Sequence, residues 1–374
     1  MRDDPMPFSI RAMRAWNRHW IGSVFAVAGV LLASFVAQVH GREAPFSIKD
    51  TGHGFAGLPS SIQQIFWLDE DRILYTGYEP SVREIRKEDG RSVTKRGIYV
   101  LDLRSNKLTR HADAEGFLCY RNGFVRYSVR FDVSSRIAVR RQGKFGEEKE
   151  IAVDMREQPA GHRLNQLTCR HYDASSYMTG EKRSLPLLDG HGVLEFGQKG
   201  MPGKLEISAA KLHLANGTGH VTLPISGNAT YVSLIQYFEF ANSYIAGYIA
   251  PKEPSSKWPK GAFHRIYLLK PEGTVEEIMI PVGPGSDRRL SSFALTRAGL
   301  MFYGGESRRY LNPGTAGLYL SDGNRTKKLE SGLLHGIGVS PNGCKVAVAM
   351  QTYTKTPDPT TIRVVDVCTR GSLK

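Results

Sequence analysis

The sequence predicts an all-β protein, a six-bladed β-propeller, on three observations. After the first 41 residues there is almost no helical periodicity, and short runs of β-branched and aromatic residues alternate with Gly, Asn, Asp and Pro. These runs form groups of four that recur roughly every 40 to 60 residues, a period typical of repeat folds. The third run of each group is the most repetitive, as in Gly97-Ile-Tyr-Val-Leu101. Four strands per repeat is the pattern of a propeller blade.

Six repeats can be recognised, with seven blades as the alternative. They begin near Ile62, Gly116, Asn165, Tyr231, Ser291 and His335. The second and third repeats are less regular, mainly between Met155 and Gly203. The last repeat has only three clear strands, so a fourth strand has to come from Phe46-Ser-Ile48 or from the tail after Arg370 to close the ring.

Two stretches resemble a known repeat. Ser340-Pro-Asn-Gly-Cys-Lys-Val-Ala-Val348 resembles the Ser-Pro-Asp-Gly-Lys-x-Ile-Ala-Phe core of the WD40-like repeats in periplasmic TolB-type propellers. The stretch Gly97-Ile-Tyr-Val-Leu-Asp-Leu103 resembles the third strand of the same repeat. The resemblance implies a propeller fold. It does not imply the role of the Tol system, because that family carries an extra domain before its propeller and many functions share this scaffold.

The amino terminus predicts export. Trp20 to Ala37 is apolar and uncharged, and Val39-His40-Gly41 supplies short residues at the usual cleavage offsets. The positive flank consists of Arg11, Arg14 and Arg18. This is the pattern of a secretory signal peptide, and the alternative is an uncleaved membrane anchor. Both place the rest of the chain in the periplasm or outside the cell. We therefore assign residues 1–41 to a signal peptide or anchor, 42–58 to a linker and 59–374 to the propeller domain.

The cysteines fit an oxidising compartment. All follow the export segment: Cys119, Cys169, Cys344 and Cys368. An even number outside the cytoplasm predicts two disulfides. Cys344 opens one predicted strand and Cys368 closes the next, so the two face each other if Val346 lies opposite Asp366, which leaves Cys119 and Cys169 as the second pair. Sequence alone allows three connectivities, and free thiols are the remaining alternative.

No motif predicts a reaction. The chain lacks a Gly-x-Ser-x-Gly nucleophile turn, a His-Glu-x-x-His zinc motif and a phosphate-binding loop. A non-enzymatic role is therefore favoured, with neither a cofactor nor a metal site expected. The alternative is a propeller-type polysaccharide lyase or glycoside hydrolase. Its candidate groups are His162, His171, His191, Asp69, Glu239 and Asp366.

Charge suggests the kind of partner. The net charge is +14 with a pI near 9.6, which favours anionic partners. Basic and aromatic residues concentrate between the second and third strands of four repeats. These candidate ligand-binding residues are Arg83, Arg86, Lys87, Arg91, Lys257, Trp258, Lys260, Arg308, Arg309, Tyr310 and Tyr353.

In a propeller these connections emerge on one face, where cations attract an anion and rings offer stacking surface. They predict a binding scaffold for an envelope protein or an anionic polymer such as an acidic polysaccharide. Nucleic acid is disfavoured by the compartment, and the membrane is contacted only through an uncleaved N-terminal segment. The alternative is that these loops are solvated, since acidic residues between them dilute the positive field.

Overall fold

The strands of the chain form antiparallel sheets built from consecutive segments. The computed structural model describes residues 46–55, 64–85, 92–114, 117–132, 134–157, 162–165, 169–173, 178–179, 182–187, 192–199, 206–213, 220–223, 236–249, 263–283, 290–304, 314–323, 325–351 and 360–368. Within these ranges the one helical element is a 3₁₀ turn, Glu239–Ala241. None of the described helical structure has the length and apolar character that crossing a membrane requires.

The chain begins with β1 (Ser47–Phe55) and continues through two four-stranded sheets. The first sheet contains β2 (Ile65–Trp67), β3 (Arg72–Ile85), β4 (Ser92–Asp102) and β5 (Lys107–Asp113). The second sheet contains β6 (Leu118–Arg121), β7 (Phe124–Asp132), β8 (Ile137–Lys144) and β9 (Lys149–Asp154). A hairpin of β10 (His162–Asn165) and β11 (Arg170–Asp173) follows.

The remaining strands form four more sheets. The third sheet contains β12 (Met178–Thr179), β13 (Lys182–Pro186), β14 (Val193–Lys199), β15 (Glu206–His213) and β16 (His220–Leu223). The fourth sheet contains β17 (Gln236–Phe238), β18 (Ser243–Ile249), β19 (Phe263–Leu269) and β20 (Val275–Pro281). The fifth sheet contains β21 (Ser291–Thr296), β22 (Gly299–Gly304), β23 (Gly317–Ser321) and β24 (Thr326–Ser331). The last sheet pairs β1 with β27 (Thr360–Asp366), then β26 (Lys345–Gln351) and β25 (Leu333–Val339).

The N-terminal strand completes the C-terminal sheet. Ser47 lies opposite Asp366 and Phe55 opposite Thr360, so β1 runs antiparallel along the whole of β27. The buried Thr51 hydroxyl also donates to the Ile362 carbonyl oxygen at 2.7 Å. Of the two sources that the sequence left open for the fourth strand, the N-terminal one is used. Residues 47–55 therefore form part of the folded domain, although the sequence analysis assigned them to a linker.

Four apolar clusters each join two sheets that follow one another. One cluster joins the fourth and fifth sheets through residues such as Phe238 and Phe302. Others join the fifth to the last sheet, the last to the first and the first to the second. The Trp67 indole N–H, for instance, donates across the last-to-first junction to the Gly338 carbonyl oxygen at 2.9 Å.

This cyclic order identifies the architecture. Antiparallel sheets of consecutive strands pack face to face, and the sheet that holds both β1 and β27 packs directly against the first. A β-sandwich of two stacked sheets would have a different strand order and a different packing. The observed strand order and the observed packing of the sheets are those of a β-propeller. The predicted all-β propeller class is confirmed at this level.

The register of the last hairpin differs from the prediction. Val346 lies opposite Val365, and Lys345 lies opposite Asp366. The expected pairing of Val346 with Asp366 is therefore wrong by one residue. A one-residue slip moves every side chain to the other face of a sheet, and the observed register groups Val346 with Val365 in one apolar cluster.

Both predicted cysteine pairs are disulfide-bonded in the structure, Cys119 with Cys169 and Cys344 with Cys368. The Cys344–Cys368 bond lies just beyond the paired ends of β26 and β27, where the Val367 N–H donates to the Cys344 carbonyl oxygen at 2.8 Å. The pleat no longer fixes side-chain direction there, which explains how the two cysteines meet despite the shifted register.

A glycine substitution at the start of β22 tests the packing between strands. Gly299 has a φ of +131°, and a Cβ built there would lie 2.2 Å from the Ser321 carbonyl oxygen. Because that neighbour is backbone, we expect Gly299→Ala to destabilise the fold by about 1–3 kcal/mol or more. Thermal unfolding of the purified variant would measure the loss.

The matched control is Gly283→Ala, because a Cβ at Gly283 meets nothing within 4 Å and its φ is not positive. We expect its Tm to equal that of the wild type. Equal Tm values for the two variants would contradict the tight approach of β22 to β23.

Candidate binding face

Short turns join the first and second strands of each four-stranded sheet. Five of them, within the described residues, lie at one end of their sheets, where backbone and side-chain contacts link the sheets, and we call them the turn ring. They are residues 68–71, 122–123, 239–242, 297–298 and 340–344.

The last sheet is tied to the first through Glu70. The Asn342 N–H donates to Glu70 Oε1 at 2.8 Å, and Lys345 Nζ donates to the Glu70 carbonyl oxygen at 2.9 Å. The same Lys345 ammonium lies 3.2 Å from Asp71 Oδ1. Hydrogen bonds from Arg104 and Lys345 lower the pKa of Asp71, so its carboxylate stays ionised at this junction.

Arg297 ties the fifth sheet to its two neighbours. Its Nε donates to the Asn342 carbonyl oxygen at 2.6 Å, and its backbone N–H donates to the Gly343 carbonyl oxygen at 3.0 Å. Its guanidinium carbon also lies 5.8 Å from the centre of the Phe240 ring. Phe240 in turn fills the space beside Gly343, where a Cβ would lie 2.7 Å from the ring atoms.

Arg121, at the end of β6, links the second sheet to the fourth. Its guanidinium lies 3.4 Å from Glu239 Oε1 and 5.1 Å from the centre of the Tyr237 ring. The first and second sheets meet at the neighbouring position, where the ring centres of Phe66 and Tyr120 are 6.4 Å apart. The polar groups of the turn ring are therefore largely used in holding the sheets together.

The opposite ends of the same strands form the other face. The second strands of four sheets, β3, β18, β22 and β26, all leave the turn ring. Strands of about seven residues extend roughly 20 Å, so β18, β22 and β26 end that far from it. We call these strand ends, with the starts of β4, β19, β23 and β27, the distal rim. The chain segments that hold the predicted ligand-binding residues follow these strand ends in the sequence.

The structure gives the backbone position of one predicted residue. Arg83 lies opposite Thr94 in the ladder between β3 and β4. Arg83 was predicted to lie in a connection between the second and third strands of the first repeat. The two strands instead continue past a register shift to Ile85 and Ser92. The other ten predicted residues lie outside the described residues: Arg86, Lys87, Arg91, Lys257, Trp258, Lys260, Arg308, Arg309, Tyr310 and Tyr353.

The carboxylates considered for hydrolytic chemistry lie at the turn-ring end. Asp69 pairs with Arg72 at 2.7 Å, and Glu239 contacts Arg121. Partial burial opposes ionisation of Asp69, but hydrogen bonds from the Asp71 backbone and from Arg72 outweigh it and lower its pKa. A general acid needs a raised pKa, so Asp69 does not suit that role. Asp366 Oδ1 accepts the Cys368 N–H at 2.9 Å.

Of the three histidines named as candidate groups for a lyase or hydrolase, the structure gives backbone positions for two. His162 lies opposite Asp173 in the hairpin and His171 lies opposite Leu164, whereas His191 is outside the described residues. The part of the chain that the structure describes holds no group of three or more His, Cys, Asp or Glu residues arranged to bind a metal ion.

Two buried arginines were missed by the sequence analysis. Arg126 on β7 and Arg140 on β8 are 8% and 5% exposed. Their sequence signal was weak, because Val125-Arg126-Tyr127 and Val139-Arg140-Arg141 are both compatible with a strand that has one solvated face. Only the position of the second sheet in the fold shows that the face is covered.

No protein-family model matches the chain, and no curated protein matches its sequence. Among solved structures it is similar to the β-propeller domain of the Trilobed protease from Pyrococcus furiosus, with 9% identity, a TM-score of 0.46 and coverage of 80% of this chain and 93% of that one. It is also similar to oligogalacturonate lyase from Vibrio parahaemolyticus, with 13% identity, a TM-score of 0.37 and coverage of 86% and 96%.

TolB from Acinetobacter baumannii is similar at 10% identity and a TM-score of 0.27, with coverage of 81% of this chain and 54% of that one. The propeller class that the resemblance to TolB-type repeats implied rests on the sheet order and packing described above. The proteins named here differ in activity, and none of their activities is transferred to this chain.

Proposed function

We propose that this chain is an exported six-bladed propeller that binds an envelope protein or an anionic polymer through its distal rim, without catalysing a reaction. The six blades are the first to fifth sheets and the last sheet. Residues 1–41 direct export to the periplasm or the exterior. The rim residues Arg83, Arg86, Lys87 and Arg91, with the basic and aromatic residues of the other three segments, supply the contacts.

One observation carries the proposal: the turn ring occupies one end of the strands, so the basic segments follow strand ends at the opposite side. Polar groups at the turn ring already bond to neighbouring sheets, which leaves the distal rim for a partner. The two disulfides fit an oxidising compartment. The net charge of +14 favours an anionic partner.

Binding to polymers of defined charge tests the proposal. Polygalacturonate, dextran sulfate and uncharged dextran would be titrated into the purified protein at two salt concentrations. We expect binding to one or both charged polymers, weakened by salt because the attraction is screened, and none to dextran. A pull-down from envelope extracts tests whether the partner is an envelope protein, with the two variants described next.

Two variants with equal charge loss locate the site. The rim variant replaces Arg83, Arg86, Lys87 and Arg91 by Gln. The control replaces four exposed basic residues that lie away from the rim segments, Lys49, Lys107, Lys149 and Arg325, by Gln. We expect the rim variant to lose at least about tenfold in affinity, or about 1.4 kcal/mol, and the control to lose much less. Equal losses would show that net charge, not the rim, attracts the ligand.

The polysaccharide lyase or glycoside hydrolase remains the alternative. The same mixtures test it, because a lyase releases unsaturated ends that absorb in the ultraviolet and a hydrolase releases reducing ends. Either product, formed at a rate that scales with protein concentration, would contradict the non-enzymatic role.

A further inference from the structure

The second sheet carries two buried cations on one face. Arg126 lies opposite Cys119 on β6 and opposite Gln142 on β8. Arg140 lies opposite Ser128 on β7. Residues directly opposite each other share a face of the sheet, so both arginines lie on the face that carries the Cys119–Cys169 disulfide.

The other face of this sheet packs against the first sheet. Leu118, Val125 and Tyr127 alternate with the arginine-bearing positions and pack against the first sheet in one apolar cluster. The arginines therefore point away from the first sheet. Arg126 and Arg140 are diagonal neighbours across the strand pair, which places their backbones about 7–8 Å apart.

The described residues provide no acidic partner for either arginine. The Nε–H groups of both side chains are inaccessible to solvent and donate to no hydrogen-bond acceptor, and no described carboxylate lies within ion-pair distance. A terminal nitrogen of Arg140, Nη2, instead donates to the Met155 sulfur, which carries no charge, at 3.3 Å. Burial, together with the charge of Arg140, lowers the pKa of Arg126 to about 10. Arg126 is still protonated at neutral pH, so two positive charges remain close together.

Two buried like charges without a counter-charge are costly, because each guanidinium loses its hydration without gaining a pair. Guanidinium groups bind oxyanions through paired, geometrically fixed hydrogen bonds, and two of them match a doubly charged group better than a single carboxylate. Exposed apolar side chains border the pair: Ile151 lies opposite Arg140 on β9 and is 38% exposed.

We propose that Arg126 and Arg140 bind a doubly charged oxyanion, a phosphate or sulfate group, on the face of the second sheet that carries the Cys119–Cys169 disulfide. The apolar border favours a ligand in which this group is attached to an apolar portion. This site involves none of the distal-rim residues and stands or falls independently of the function proposed above.

Thermal unfolding of the full chain tests the site. Sodium phosphate, sodium sulfate and sodium acetate would be titrated at constant ionic strength set with sodium chloride. A ligand that binds only the folded state raises Tm with its concentration. We expect phosphate or sulfate to raise Tm and acetate to have little effect. The salt that gives the larger Tm increase shows whether the site prefers a phosphate or a sulfate group.

Substitutions separate binding from structure. Without an oxyanion, we expect Arg140→Met to unfold at the same or a higher temperature than the wild type. The substitution removes an uncompensated buried charge and puts an apolar side chain of similar volume in its place. It should weaken phosphate or sulfate binding at least about tenfold, the loss of one charge-assisted hydrogen bond. Arg126→Lys keeps the charge without the planar fork and should weaken binding less. The control Arg325→Met removes an exposed arginine and should leave binding unchanged.

Two results would overturn the proposal. One is the absence of any specific Tm increase with phosphate or sulfate in the wild type. The other is strong destabilisation by Arg140→Met with anion binding intact, which would mean that the protein itself neutralises the pair. If Arg140→Met does not fold, calorimetric titration of the wild type and Arg126→Lys with phosphate and sulfate decides the matter.

Discussion

A chain that lacks residues 1–55 is expected to lose most of its stability, whereas a chain that lacks only residues 1–45 keeps it. The difference between them is β1 and its immediate flank. β1 forms a ladder with β27, and its Thr51 hydroxyl bonds to the Ile362 carbonyl oxygen. At about 1 kcal/mol per hydrogen bond, the loss of this ladder approaches the roughly 5–15 kcal/mol that holds a typical domain folded.

Thermal and urea unfolding of both shortened chains, produced in an oxidising cytoplasm, would measure the effect. A synthetic peptide of residues 46–55, added in excess, should restore part of the stability of the shorter chain by pairing with β27. A peptide of the same composition in scrambled order is the control. If both shortened chains unfold at the same temperature, the ring does not depend on closure by β1.

Loss of the Cys119–Cys169 disulfide is expected to cost about 4 kcal/mol, because the bond closes a loop with a sequence separation of 50. Both cysteines are buried. The bond also attaches the turn before β11 to β6, and β10 and β11 pair only with each other among the described strands. We therefore expect the Cys119→Ala/Cys169→Ala variant to show both a lower Tm and faster proteolysis within the hairpin.

The matched variant is Cys344→Ala/Cys368→Ala, which removes a bond with a sequence separation of 24. Here β26 and β27 are already joined by their ladder, so the Tm should fall less and the β10–β11 hairpin should keep its protection. Mass mapping of the first proteolytic cut distinguishes the variants. If the first cut falls in the β10–β11 hairpin in both cysteine variants, the Cys119–Cys169 bond does not protect the hairpin specifically.

Features fixed by local sequence were predictable. The run Gly97-Ile-Tyr-Val-Leu101 predicted a strand, and Ile98, Tyr99 and Leu101 are indeed buried in β4. The cysteine pairs followed from strand order and compartment. The strand prediction depends on propensity within a few residues. The Cys344–Cys368 pair depends on the order of two neighbouring strands, and Cys119 and Cys169 were paired because they remained.

Features set by neighbouring sheets were not predictable. Both faces of β26 are buried, so alternation gave no preferred face and the register was predicted one residue off. The turn ring depends on contacts between distant residues such as Glu70 and Asn342. The burial of Arg126 and Arg140 depends on what covers the second sheet, and two isolated arginines in a strand give no sign of that.

Closure by β1 also has a consequence for how the protein is made. Among the described strands β1 is synthesised first, while its partner β27 is synthesised last. The chain therefore keeps two complementary strand edges unpaired until β27 has been made, and unpaired edges invite association with other chains. A product that stops before Thr360 offers β1 no partner, so a truncated chain leaves the edge of β1 unpaired.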